Sequence, residues 1–571
     1  MGELRIHSVL VTGANRGIGL GLVQHFLGLP TPPKWVFAGC RDPKGQRAQE
    51  LQKLASKHPN LIIVPLEVSN PASIKAAAAT VEKHLGGSGL TLLINNAGIL
   101  KINKFEDETL DDMKQIYTTN TIGPLLMGQA FLPLLKKAAQ GTPGSALSCS
   151  KAAIVNISSS GGCISAPEVF DLIPAVSYRC SKAALNMLTK CQSLGYREHS
   201  ILCVALHPGW VQTDMGSAAG HQPPVTVDTS VQGMLKVLSS LSEKDTGTFL
   251  DWEGKVVPCQ FQNTELKYKL TDQWQAGTMA TSSAKWPKSA KLVAIYEGIC
   301  ECSSWGSSSS SSMGELRIHS VLVTGANRGI GLGLVQHFLG LPTPPKWVFA
   351  GCRDPKGQRA QELQNLASKH ANLLIVSLDV SNPASIKAAA ATVEKHLGGS
   401  GLTLLINNAG MAKVTMLGDE TLENMIQVYT TNTIGPLLMG QAFLPLLKKA
   451  AQGSPGSGLS CNKAAIVNVS SIAGSIEEMY LWESGQVISY RCSKAALNML
   501  TKCQSLGYRE HGILCITLHP GWVQTDMGGR GSHKPPLTVD TSVQGMLKVL
   551  SSLSEKNTGT FLDWEGKVVP W

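Results

Sequence analysis

Residues 1–52 recur without a change as residues 313–364, and the match runs on to residue 571 at a constant offset of 312. Such a repeat is far longer than a solenoid unit of about 20–50 residues, and it is long enough to bury a core of its own. The chain is therefore expected to hold two copies of one domain, residues 1–259 and 313–571, each folding by itself. Residues 260–312 have no counterpart in the repeat, show no sustained hydrophobic period and end in a run of serines, so they read as a flexible linker.

Within the first copy, short runs rich in β-branched residues alternate with longer amphipathic stretches. The expected strands are HSVLVT, KWVFAG, LIIVPLE, LTLLIN, AAIVNIS, ILCVALH and GTFLDW. Strands separated by helical stretches of this length imply right-handed crossovers and a parallel sheet covered on both faces. The fold class is α/β: two tandem Rossmann-type doubly wound domains, whose ligands bind beyond the carboxyl ends of the strands.

The net charge of +10 is modest for 571 residues and is spread over helix-like segments, so a solvated surface is expected rather than a nucleic-acid interface. The fourteen cysteines show no paired framework, which suits a reducing compartment. Cys300 and Cys302 lie in the linker without further ligands, and no metal site is expected there. The opening MGELRIHSVLVTG enters a strand without a basic and then apolar leader, and no apolar run approaches the ~18 residues that cross a membrane. A cytoplasmic protein without a membrane partner is the expectation.

VTGANRGIG follows the first strand and opens the first helix. Gly13, Gly17 and Gly19 leave out side chains where the turn is tight and where backbone can approach a pyrophosphate at a helix N-terminus. The spacing is Gly-x-x-x-Gly-x-Gly, and it recurs as Gly325, Gly329 and Gly331. Further along come LLINNAG at the fourth strand, YTTNTIGP with Asn120, IVNISS with Ser159, and Tyr178 with Lys182 in SYRCSKAALNML; the second copy has Asn432, Ser471, Tyr490 and Lys494. Tyr178 and Lys182 stand four apart and so share a helix face, where an ammonium could lower the phenol pKa and make it a usable general acid. Of the adjacent Ser158, Ser159 and Ser160, strand alternation favours the second.

This ordered set resembles the classical short-chain dehydrogenases/reductases over essentially all of both copies. HPGWVQTDM and DWEGKVVPW are similar to the C-factor and sniffer-like carbonyl reductases of that family. The resemblance implies NADPH-dependent reduction of small aldehydes or ketones, with Tyr178 and Tyr490 as general acids. Ser159 and Ser471 would donate to the carbonyl oxygen, and Asn120 and Asn432 would hold a water relaying protons to Lys182 and Lys494. A sepiapterin-reductase-like pteridine reduction and a non-catalytic NADP-binding regulator are the alternatives. The family's pairing helices further suggest that the two copies pair within the chain or that the chain forms a homodimer.

The implied cofactor site in the first copy comprises Gly13, Asn15, Arg16, Gly17, Ile18 and Gly19 of the turn, with Arg41, Glu67 and Val68 after the next two strands. Asn95, Ala97 and Gly98 follow, then Tyr178 and Lys182, and Pro208, Gly209, Val211 and Thr213 of the HPGWVQT loop. In the second copy the set is Gly325, Asn327, Arg328, Gly329, Ile330, Gly331, Arg353, Asp379, Val380, Asn407, Ala409, Gly410, Tyr490, Lys494, Pro520, Gly521, Val523 and Thr525. An acidic residue leading the turn after the second strand would suit NAD, whereas AGCRDP puts Arg41 there; two guanidiniums suit the 2′-phosphate of NADP(H). The copies differ in three places: Ile99–Met113 against Met411–Met425, GSAAGHQPPV against GRGSHKPPL, and the stretch between the serine and the tyrosine. There the spacing of 19 residues leaves room for a lid over the substrate.

Overall fold

Each parallel strand is buried on both faces, so a continuous apolar run is what the sheet requires of its sequence. The computed structural model describes residues 4–144, 146–165, 170, 171, 173–257, 316–454, 456, 458–530 and 534–571. The linker expected at 260–312 lies outside these residues, as does part of the first copy's expected lid, residues 166–169 and 172.

The first copy runs β1 (Ser8–Val11), α1 (Gly17–Leu27), β2 (Trp35–Cys40), α2 (Gln49–Lys57), β3 (Leu61–Pro65), α3 (Pro71–Leu85), β4 (Leu92–Asn95), α4 (Leu110–Tyr117), α5 (Gly123–Gly141), β5 (Ala153–Ile157), α6 (Val176–Gly195), β6 (Leu202–His207), α7 (Val227–Ser240) and β7 (Phe249–Asp251). The second repeats this order as β8 (Ser320–Thr324), α8 (Gly329–Leu339), β9 (Trp347–Cys352), α9 (Gln361–Lys369), β10 (Leu373–Ser377), α10 (Pro383–Leu397), β11 (Leu404–Asn407), α11 (Leu422–Tyr429), α12 (Gly435–Gly453), β12 (Ala465–Val469), α13 (Ile488–Gly507), β13 (Leu514–His519), α14 (Val539–Ser552) and β14 (Phe561–Asp563). All seven expected strands are present, within a residue or two at each end.

The strand order is β3-β2-β1-β4-β5-β6-β7, and β10-β9-β8-β11-β12-β13-β14 in the second copy, all parallel. Order reverses between β1 and β4, where Val9 lies between Val36 and Leu92. The crevice at this switch point is where such a sheet takes its ligand. Local chemistry sets the helix starts: Asn70 accepts from the Ala72 and Ser73 N–H groups with Pro71 at the first helical position, and Thr109 and Thr226 cap α4 and α7 in the same way. Between α4 and α5 the helix widens into a π-turn, Thr118–Ile122, which carries Asn120.

On one face of each sheet lies a core private to that copy, around Val23 and Phe26 in the first and Val335 and Phe338 in the second. On the other face a single buried cluster joins both copies, from Phe131 and Leu185 to Phe443 and Leu497. Helices α6 and α13 pack against each other there, Phe105 meets Tyr508 at 4.9 Å between ring centroids, and both copies belong to one compact unit. The eleven described cysteines are buried. Among the described residues no helix is long and apolar enough to cross a membrane, and no cluster of metal-ligating side chains occurs.

Candidate active site

A cleft of about 1060 Å³ opens at the carboxyl ends of β1, β2, β4 and β5 in the first copy. The glycine turn forms its floor. Gly13 and Gly17 have φ of +61° and +51°, which side chains disfavour, and a Cβ on Gly13 would lie 2.9 Å from the Ala97 Cα. Arg16 precedes α1 without capping it, so the first turn of the helix keeps its positive end toward the cleft. Gly325 and Gly329 repeat these angles at +64° and +53°.

Gly13, Asn15, Arg16, Gly17, Ile18, Arg41, Glu67, Val68, Ala97, Gly98, Pro208 and Thr213 line the cleft, together with Tyr178 and Lys182. Gly19, Gly209 and Val211 shape it without lining it. A Cβ on Gly19 would meet the Gly13 carbonyl at 2.2 Å, Gly209 turns the chain at φ +86°, and Val211 is buried in a bridge to Val225. Their counterparts behave alike: a Cβ on Gly331 would lie 2.2 Å from the Gly325 carbonyl, Gly521 has φ +82°, and Val523 bridges to Leu537.

Asn95 and Asn407 require a correction. Strand alternation turns their side chains under the sheet, where Asn95 Nδ2 donates to Asn156 Oδ1 at 2.9 Å and Asn407 Nδ2 to Asn468 Oδ1 at 2.8 Å. Asn156 continues the network to Thr189 and Gln192 on α6. The next residue, Asn96, lines the cleft and ties β4 to β1 by donating to the Thr12 and Gly13 carbonyls. The NNAG stretch carried this signal, since of two adjacent asparagines in a strand only one can face inward.

Tyr178 and Lys182 line the cleft together with Ser158, whose hydroxyl donates to Asn186 at 2.6 Å. Ser159 is not part of that lining; its Oγ accepts from the Gly161 N–H at 3.0 Å and lies near enough to the Tyr178 phenol to draw its pKa down. The Tyr178 ring is lodged among buried groups although its edge opens on the cleft. Burial raises its pKa, and the Ser159 bond and the Arg179 charge pull it back. The expected lowering by Lys182 is not what this arrangement gives. Lys182 is buried, its Nζ donates to the Ile157 carbonyl at 2.7 Å, and burial pulls its own pKa down to about 7. Sharing a helix face brings Nζ to 5.5 Å from the Tyr178 ring centroid, but desolvation weakens the hold on the ammonium proton that was to act on the phenol.

Asn120 sits one layer behind the wall. Its Oδ1 accepts from Ile99 N–H at 2.9 Å, and its Nδ2 donates to the Ile99 carbonyl and Ser181 Oγ, both at 3.0 Å. Gly98 lets it converge with Lys182: a Cβ there would be 3.4 Å from Asn120 Oδ1 and 3.8 Å from Lys182 Nζ. The second copy repeats this set. The Ser471 hydroxyl draws the Tyr490 phenol pKa down against burial, Lys494 Nζ donates to the Val469 carbonyl at 2.8 Å, and Asn432 holds Met411 and Ser493.

The basic pair is placed at the rim. Arg41 is 73% exposed, with Nε 3.5 Å from Glu67 Oε2, and Arg16 meets Asp214 at 2.8 Å. Exposed pairs of this kind are worth about 0–1 kcal/mol, so either guanidinium can exchange its partner for a stronger anion. Glu67 also accepts from Ser69, as Asp379 does from Ser381, while Arg328 pairs with Asp526. Between serine and tyrosine, Arg179 donates to the Ile173 and Pro174 carbonyls, and Arg491 to those of Tyr480 and Gln486, folding that stretch back onto α6 and α13. The stretch ends in a strained residue, Ala175 at φ +37° and Val487 at +41°.

The short chain dehydrogenase family model matches residues 7–224 and again 319–535. The chain is 72% identical to an NADPH-bound carbonyl reductase from chicken fatty liver, covering 46% of this chain and 97% of that one, with a TM-score of 0.45. The carbonyl reductase Sniffer of D. melanogaster is 40% identical over 45% of this chain and all of that one, TM-score 0.42. The C-signal protein of Myxococcus xanthus is 38% identical over 29% of this chain and 92% of its own length. With both copies matched in order and in motif, the chain belongs to the short-chain dehydrogenase family, as a tandem duplication of one family domain.

Proposed function

We infer that the protein is an NADP(H)-dependent carbonyl reductase with two catalytic units, acting on small aldehydes or ketones. The observation that supports this reading is Tyr178 lining the cleft beside buried Lys182, with the Ser159 hydroxyl close enough to draw the phenol pKa down, built again from Ser471, Tyr490 and Lys494. The residues present fit a dinucleotide: a cleft of about 1060 Å³, a glycine turn with Gly13 and Gly17 at positive φ, an uncapped helix N-terminus and two rim arginines. Bound there, the cofactor supplies a hydride to the carbonyl carbon.

The side chains do the rest. Ser159 donates to the carbonyl oxygen, and as charge develops on that oxygen the Tyr178 phenol gives it a proton. Burial raises the phenol pKa and so makes it a weaker acid, which leaves the transfer to be driven by the charge that develops on the carbonyl oxygen. Lys182, whose proton burial loosens to a pKa of about 7, returns a proton to the phenolate, and Asn120, which converges with it across Gly98, would hold the water that resupplies it. Arg16 and Arg41 bind the 2′-phosphate. The test is NADPH oxidation by the purified chain over a carbonyl panel that includes a pteridine. NADPH-dependent reduction of simple aldehydes or ketones is expected, and tight NADPH binding without turnover of any of them would favour a regulator.

A further inference from the structure

Each helix that carries a tyrosine starts without a cap of its own. Ala175 and Val487 stand at the N-cap positions in the left-handed region, and neither side chain can accept a hydrogen bond. The missing acceptor comes from a distant loop. Glu108, 3% exposed, accepts from the Ser177 N–H at 3.0 Å, and Glu420, 3% exposed, accepts from the Ser489 N–H at 3.1 Å. These amides belong to the residues immediately before Tyr178 and Tyr490. A carboxylate on first-turn N–H groups is a strong, charge-assisted cap.

What holds each glutamate comes from the opposite copy. The Gln441 amide, on α12, donates to the carbonyls of Phe105 and Glu108 at 2.9 and 3.0 Å. The Gln129 amide, on α5, donates to those of Leu417 and Glu420 at 2.8 and 2.9 Å. Both hydrogens of each amide are thus spent on the loop that caps the other copy's tyrosine helix. The two loops differ in sequence, and so do their inner supports: Asn103 donates to Glu108 at 3.3 Å, whereas Thr415 donates to Glu420. The crossed glutamines are the part the copies share.

Resting on the reductase reading, we propose that Gln441 is a positioning residue for Tyr178 and Gln129 for Tyr490, so that each unit's proton donor is set by the other copy. A displacement near 1 Å at a reacting group costs about a hundredfold in rate, and partial loosening of a cap correspondingly less.

The test uses the full chain. In the Tyr490→Phe background, where only the first unit can turn over, Gln441→Met keeps the side-chain volume and removes both donors. It should lower kcat about tenfold with little change in KM, while Gln129→Met in the same background changes kcat less than twofold. In the Tyr178→Phe background the two variants should exchange effects. Hydrogen exchange gives a readout that needs no turnover: peptides starting at Val176 and Ile488 differ in mass, and Gln441→Met should speed exchange of the first only. Crossed responses support the proposal in either readout. Equal responses of both units to both variants, or none, overturn it. A Tyr490→Phe parent and a Tyr178→Phe parent that both lack reduction while exchange still splits by copy would overturn the reductase reading and leave the crossed positioning standing.

Discussion

Tyr117 and Tyr429 lie face to face where the two copies meet, their ring centroids 3.6 Å apart and their planes 4° from parallel. Each is fully buried, and neither phenol oxygen has a hydrogen-bond partner among the described residues. A buried hydroxyl without a partner costs about 1–3 kcal/mol, so its removal should not harm the fold. Tyr117→Phe with Tyr429→Phe is expected to unfold at or above the wild-type temperature. Tyr117→Ala, which empties the stack, should cost about 3–5 kcal/mol. Denaturant titration checks both, and a large loss in the double phenylalanine variant would show that the hydroxyls are needed.

The rim arginines predict cofactor preference. Replacing Arg41 and Arg353 by Asp sets a carboxylate against the 2′-phosphate in each copy. The NADPH dissociation constant should rise at least about tenfold more than that for NADH, in competitive binding at fixed salt. Equal weakening of both would mean that these side chains do not read the phosphate.

The buried lysines predict how stability follows pH. Lys182 and Lys494 lose their proton at about 7 in the folded chain, because burial disfavours the ammonium, whereas an unfolded lysine holds it to about 10.5. Between those values the unfolded chain binds more protons, so stability rises with pH across that window. The charged lysines cost the fold most below about 7, of the order of a few kcal/mol each. Lys182→Met with Lys494→Met should therefore stabilise the cofactor-free chain at pH 6 and have less effect near pH 10. A stability difference that does not vary with pH would contradict the assignment.

Much of this architecture was legible because its determinants are local. Seven apolar strand runs, the glycine turn and the Tyr-x-x-x-Lys pair each depend on neighbours within a few residues, and the repeat announced the second copy. The choice of Ser159 over Ser158 rested on strand alternation together with the family resemblance, and alternation applied to LLINNAG would have turned Asn95 inward and Asn96 toward the cleft. Desolvation was not legible. Spacing put Lys182 beside Tyr178, but only the packing around both shows that burial, not the ammonium, governs the phenol. Gln129 and Gln441 gave no signal either, because a polar residue on an amphipathic helix looks solvated until another surface covers it.

The central claim is that two separate phenols serve as proton donors in two catalytic units. NADPH consumption over a carbonyl panel, followed in the wild-type chain, Tyr178→Phe, Tyr490→Phe and the double variant, tests it most directly. Each single variant should keep the substrates of the other unit, with different subsets lost because the loops at Ile99–Met113 and Met411–Met425 differ, and the double variant should bind NADPH but reduce nothing. The same fractional loss for every carbonyl would contradict divergent pockets, and undiminished reduction by the double variant would contradict the account itself.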